Sequence, residues 1–423
     1  MKPWLAAALA LILATSIASP AAQAEDAATY QRYMEQCEQA KQKSDFPAMA
    51  TAIRNALKHG AGHEYDWRSL AWALQHAGQW QDSLGVAREN VERQGASGWS
   101  LQQLAESQLG AGDWAAARAT LARIETLPST ALGDAEGAIT GTRQRLLDLT
   151  GQRRYTLHWQ VDLGQGGPDQ PAARLLMPRW GDPRQTFEFT VSNVSSFVPV
   201  TVGARDFIDV VQKPGEPFEI NATVTIRGVA LGHAALAALT DAPVPDAVRG
   251  CLGPFRHGEL FDPASPLVSR IAGLCRSTTP ARTVQNLLNW MRDNMKYADT
   301  QNRTPDAILA GGLGVCHHCC SSFTALCRAA GIPARVAHGV VLNDVGEFKD
   351  NQGSHGWVSV YLAPLGWVPL DPLDASSLAL FGRSTYLLTD YANETADDDH
   401  FAYRSIQGFT CDGKVLALEP QTP

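Results

Sequence analysis

Beyond its first 17 residues the chain has no apolar run long enough to cross a bilayer, so no membrane span is expected there. It also lacks an excess of basic charge: 35 Lys and Arg stand against 43 Asp and Glu, a net charge of −8. That balance offers no phosphate-binding field and argues against nucleic acid as a partner. No loop carries the carboxylate ladder of a calcium site. Only one C-x-x-C is present, Cys316-His317-His318-Cys319, and a structural zinc site normally needs a second ligand pair at matched spacing. Neither a metal nor a cofactor is therefore expected.

The N-terminus is Met1-Lys2, then an apolar run from Leu5 to Ile17, then Ala22-Gln23-Ala24 before Glu25. This reads as a secretory leader over residues 1–24 with an A-x-A cleavage site. No cysteine ends the run, so a lipoprotein anchor is not expected. A periplasmic or secreted product is the expectation. An oxidising compartment permits disulfides among the eight cysteines. Cys251 and Cys275 are one candidate pair, and Cys327 or Cys411 could pair elsewhere.

After the leader, residues 25–150 read as helical repeats. Ser44-Asp45-Phe46, Gly78-Gln79-Trp80 and Gly112-Asp113-Trp114 recur at intervals of 34, as do Leu70-Ala71 and Leu104-Ala105. That period resembles tetratricopeptide repeats, in which helix pairs stack to bury a common core. Such a region either binds a protein partner on its surface or only supports the rest of the chain. Residues 151–235 change to short alternating strands: Tyr155, Leu157 and Trp159; Phe187, Phe189 and Val191; Phe218, Ile220, Ala222, Val224 and Ile226. Gly166-Gly167-Pro168, Gly181-Asp182-Pro183 and Lys213-Pro214-Gly215 supply the turns, so an antiparallel β domain, a sandwich, is expected. Residues 236–395 hold the chemistry, and 396–423 read as a hairpin and tail.

Three residues in that core arrive in order, each in its own context. Gly314-Val315-Cys316 precedes an apolar-periodic run, Cys320, Phe323, Cys327 and Ala330, that stops at Gly331-Ile332-Pro333. Cys316 is thus placed at a helix N-terminus, where unpaired N–H groups and the helix dipole favour a thiolate. His355 opens an alternating strand, Trp357 to Leu362, which turns at Ala363-Pro364-Leu365-Gly366 and returns as Trp367 to Asp371. A hairpin folded there brings Asp371 back beside His355. A thiol, an imidazole and a carboxylate are what covalent acyl transfer needs. Cys320 and Cys327 read as small buried hydrophobes, and His338 as packed or solvated. Asp371 before Pro372 could also simply begin a turn.

These stretches resemble the transglutaminase-like superfamily of cysteine enzymes over about residues 265–375. The matching text is Gly-Val-Cys, Leu326 to Arg335, His-Gly-Trp-Val-Ser-Val-Tyr-Leu and Gly366-Trp367-Val368-Pro369-Leu370-Asp371-Pro372. The resemblance implies a papain-like core within an α+β multidomain chain, the cysteine helix packed on an antiparallel sheet. It implies Cys316 as nucleophile, His355 as general base and acid, and Asp371 as the orienting group. Peptide or protein amides are the implied substrates, with a thiol hydrolase favoured. A protein-glutamine amine transferase and a non-catalytic scaffold using the helical repeats are the alternatives. Two departures are Gly356, where the family more often has alanine, and the reactive run His317, His318, Cys319 and Cys320 after the nucleophile.

Overall fold

The computed structural model describes residues 20–43, 45–60, 62–163, 172–203, 205–230, 239, 243–257, 259–342, 345–348, 354–363, 365–373, 381–391, 404–405 and 409–417. Residues 1–19 of the expected leader, Ser44, the Gly166-Gly167-Pro168 turn, most of 231–242 and Pro364 lie outside that set, as does the side chain of Cys411. The fold is α+β: a helical N-terminal region, then antiparallel sheets. By its contacts the chain divides into two compact units, 1–108 with 119–139 and 109–118 with 140–423.

The N-terminal helices are Pro20–Gln42, Phe46–Ala56, Glu64–His76, Trp80–Gln94, Gly98–Ala111 and Trp114–Glu125. Phe46, Trp80 and Trp114 each begin a helix, so the 34-residue interval is one of helix starts. Asp45 caps its helix by accepting the Ala48 N–H at 3.1 Å. Gly78 and Gly112 sit at φ of +76° and +78° in the tight turns that precede Trp80 and Trp114, a backbone only glycine adopts freely. Ile53, Leu70 and Leu74 form an apolar core with Met49 and Ala73.

Two sheets then share one core. The first runs, in spatial order, Val345–Phe348, Phe409–Ala417, Gln152–Val161, Phe218–Arg227, Gln185–Ser192; the second Arg404–Ser405, Ala172–Met177, Arg205–Gln212, Val194–Val202. Tyr155, Leu157 and Trp159 from the first meet Leu175, Met177 and Ile208 from the second, the interdigitation of a sandwich. Most of residues 396–423, where a hairpin and tail are expected, lie outside the described residues; the described strand Phe409–Ala417 pairs antiparallel with Gln152–Val161 and with Val345–Phe348. Partners some 250 residues apart leave no local pattern to read. The bridge considered between Cys251 and Cys275 is absent, because Cys275 is a free buried thiol.

The remaining elements are the helices Pro266–Cys275, Pro280–Asn294, Pro305–Gly311 and Cys316–Ala329, and a four-stranded antiparallel sheet ordered Gly366–Leu370, Ser354–Leu362, Ala334–Val341, Tyr386–Tyr391. Thr279 and Thr304 cap two of the helices, each followed by proline in the first turn. The helix Cys316–Ala329 buries Phe323 and Leu326 completely, against Val336, Val358 and Val360 of the sheet and Val284 and Leu287 of a neighbouring helix. It stops where Gly331 takes φ +86°.

Candidate active site

Val315 enters the helix extended, so Cys316 is its first helical residue. The first-turn N–H groups have no intrahelical acceptor, and the dipole there favours an anion. Further along the same helix, Cys320 Sγ lies 3.1 Å from Gly356 O, joining the helix to the strand that carries His355.

The hairpin register pairs Val358 with Leu370. Asp371, next after the returning strand, therefore stands across from Trp357, the diagonal neighbour of His355 on one face. Asp371 Oδ2 lies 2.7 Å from His355 Nε2. The same oxygen accepts the Tyr386 hydroxyl at 2.9 Å, and Oδ1 accepts the Leu373 N–H at 2.9 Å. Both Asp371 and Tyr386 are buried. The Tyr386 ring meets His355 edge-on at 5.3 Å and lies 5.0 Å from Trp357.

With Nε2 committed to Asp371, Nδ1 is the ring nitrogen left for the sulfur. Cys316 is hydrogen-bonded by His317 and by His355, and these, with the Gly356 backbone, bring its thiol down to about 6 against the opposing effect of burial. For His355 burial favours the neutral ring, but the hydrogen bonds to Asp371 and Cys316 prevail and hold it at about 9. At neutral pH the pair rests as thiolate and imidazolium. The structure thus brings Cys316, His355 and Asp371 together. Cys320 and Cys327 are fully buried in the helix's apolar side, and burial pushes both thiols up.

Several participants were not legible beforehand. Tyr386 lies beyond the Leu-Asp-Pro motif, at the start of the strand Tyr386–Tyr391, where no spacing ties it to Asp371. His317 looked like one member of a reactive run; its ring contacts Cys316 and sets Nε2 3.0 Å from His318 Nε2. His338 is packed but also hydrogen-bonded. Its Nε2 is 2.8 Å from His257 Nε2, and its Nδ1 is 3.3 Å from Asp390 Oδ1. His257 Nδ1 reaches Ser321 Oγ on the cysteine helix at 2.5 Å, and Asp390 Oδ2 meets Arg205 Nε at 3.3 Å. Burial, then the neighbouring imidazoles, hold His257 neutral down to about 3. Among the described residues no three His, Cys, Asp or Glu side chains are grouped as metal ligands.

Residues 269–372 match the family model of the transglutaminase-like superfamily. This segment is similar to the core of that superfamily. An uncharacterized protein of Haemophilus influenzae is 31% identical over 130 residues, 25% of this chain and 35% of that protein, so the match spans about a third of the relative's length. Among solved structures, a candidate cysteine protease from Cytophaga hutchinsonii is 15% identical at a TM-score of 0.43, covering 65% of this chain and 93% of that one. The periplasmic domain of TgpA from Pseudomonas aeruginosa is 18% identical at a TM-score of 0.29, over 54% of this chain and 88% of its own. Red sea bream transglutaminase is 10% identical at 0.25, over 54% and 47%. The matched segment begins within the helix Pro266–Cys275 and ends just past Asp371, so Tyr386 stands outside it.

Proposed function

We propose that the chain is an exported, cysteine-dependent acyl-transfer enzyme that hydrolyses peptide or protein amides. Cys316 is the nucleophile, His355 the general base and acid, and Asp371 the carboxylate that orients the ring. The observation that carries this reading is the 2.7 Å contact of His355 Nε2 with Asp371, which leaves the ring's other nitrogen for Cys316. The thiolate attacks the amide carbonyl carbon. As the C–N bond breaks, the imidazolium gives its proton to the leaving nitrogen. A water then loses a proton to His355 and attacks the thioester, releasing the acid and the thiolate. The Cys316 N–H, at the helix tip, donates to the oxyanion. Proton transfer by a placed imidazole contributes about 10²–10⁴-fold.

Hydrolysis is favoured over amine transfer because a transferase must shield its thioester from water. Cys316 is only partly buried, and Tyr297 beside it is 68% exposed. Export rests on the leader pattern of residues 1–24. The helical region resembles tetratricopeptide repeats, and exposed Tyr65 and Trp72, seven residues apart on the helix Glu64–His76, support a protein partner there.

A peptide library incubated with a fluorescent primary amine tests the reading. Free acid should appear in a Cys316-dependent way and outpace amine incorporation. Faster incorporation of the amine establishes the transferase instead. No turnover, with a role that survives Cys316→Ala and fails on Trp72→Ala, leaves only the scaffold.

A further inference from the structure

We infer that Cys316 and Cys319 are a redox-active dithiol, a modification site whose substrate is a small disulfide and whose product is an intrahelical bridge. This goes beyond the acyl-transfer reading and does not need it.

The placement is that of an asymmetric thiol pair. Cys316 is the first residue of its helix and is accessible, whereas Cys319, one turn later, is completely buried. Residues three apart in a helix have Cα atoms about 5 Å apart, inside the span a disulfide bridges. Cys319 Sγ points back toward the helix start, 3.6 Å from Gly314 O, and a Cβ on Gly314 would come within 3.2 Å of that sulfur. The thiol therefore lies under the loop that delivers Cys316. Cys320 is placed differently: it is fully buried and its Sγ is engaged with Gly356 O at 3.1 Å on the neighbouring strand. Reactivity follows the same division. Hydrogen bonds from His317 and His355 keep Cys316 ionised near neutral pH, while burial pushes Cys319 up to about 12 with the nearby Cys316 charge adding to it. A partly exposed thiolate at a helix tip attacks, and a buried thiol resolves.

The exchange balances as follows. The Cys316 thiolate attacks one sulfur of RSSR, forming a mixed disulfide and expelling RS⁻. The charge on Cys316 is now gone, which removes one of the three influences holding the Cys319 proton and leaves burial and the Asp371 charge. Cys319 gives that proton to solvent, and its thiolate attacks the Cys316 sulfur. The S–S bond to R breaks, and a second RS⁻ leaves. Two electrons pass from the protein to RSSR, and two RSH are formed once protons are taken up. Closure commits the Cys316 sulfur to Cys319 and so takes it from His355. The oxidised chain has no nucleophile, so acyl transfer stops until a thiol reopens the bridge.

The test uses the full chain and glutathione disulfide. After exposure, the intact protein should be lighter by two hydrogens. Cys316 and Cys319 should both resist iodoacetamide after denaturation, and dithiothreitol should restore both. Cys319→Ser should stop at a glutathione adduct on Cys316, and Cys320→Ser should close the bridge as the wild type does. Cys319→Ala, with melting compared to wild type, guards against a folding defect and should stop at the same adduct. A wild-type chain that accumulates a stable glutathione adduct on Cys316 overturns the inference. So does a bridge that survives Cys319→Ala and is lost in Cys320→Ser. The readout is mass, so it stands or falls separately from amide hydrolysis.

Discussion

Tyr386 and His355 share one oxygen of Asp371: the hydroxyl lies 2.9 Å and the ring Nε2 2.7 Å from Oδ2. A second donor on a carboxylate stabilises its charge and fixes its rotation. It also weakens the pull of that charge on the imidazolium. Tyr386→Phe should therefore leave His355 a stronger base and a less constrained ring. The expected result is a fall in kcat of about 10-fold, the low end of the weight of one hydrogen bond to a charged group, together with an upward move of the alkaline limb of the pH–rate profile. A loss of rate with an unmoved profile would mean that the hydroxyl only supports packing.

The pH–rate profile itself follows from the ion pair. Cys316 titrates at about 6 and His355 at about 9. Below the first value the thiolate is lost, and above the second the proton owed to the leaving amine is lost. kcat/KM for an amide should rise through about 6, hold, and fall through about 9. Alkylation by iodoacetamide, measured as a rate on Cys316, should follow the acid limb and not the alkaline one.

The His257–His338 contact predicts acid lability. Two ring nitrogens 2.8 Å apart need a single proton between them. Burial, then the charges of His338, His317 and His318, hold His257 down from 6.5 to about 3, with Asp390 opposing. Below 6.5 the unfolded chain takes up a proton that folded His257 refuses, so stability falls as pH drops from 6.5 toward 3. Urea midpoints measured across that window should decline, and His257→Asn should flatten the decline.

Two glycines on the sheet should respond in opposite ways to alanine. A Cβ on Gly356 would meet Ala337 O at 3.7 Å and Cys320 Sγ at 3.9 Å, ordinary contacts, so the family's commoner alanine fits here. Gly356→Ala should be neutral or stabilising by about 0.4–1 kcal/mol. A Cβ on Gly339 would collide with the Leu387 carbonyl and come within 2.5 Å of Trp357 Cη2, beneath the His355 ring. Gly339→Ala should cost about 1–3 kcal/mol through overpacking. Thermal melts of the two variants check both directions.

What could be read in advance was local. Cys316 heads a helix because Gly314 and Gly331 bracket an apolar-periodic run. Asp371 returns to His355 because a two-strand hairpin has a fixed register. The 34-residue helix starts follow from the repeated aromatic. What was hidden is long-range. Tyr386 reaches Asp371 from the far edge strand of the sheet, across two others, and His257 reaches Ser321 over 64 residues. The strand Phe409–Ala417 joins a sheet begun near residue 152. None of these pairings has a periodicity or a spacing, so only the fold displays them.

The most direct test of the account is the covalent step. The full chain is mixed with a turned-over peptide amide, quenched in acid within a turnover, and weighed intact. An adduct equal to the substrate's acyl portion, mapped to Cys316 and absent in Cys316→Ala, is the predicted result. Turnover that persists in Cys316→Ala, with no acylated sulfur at any time, would contradict it.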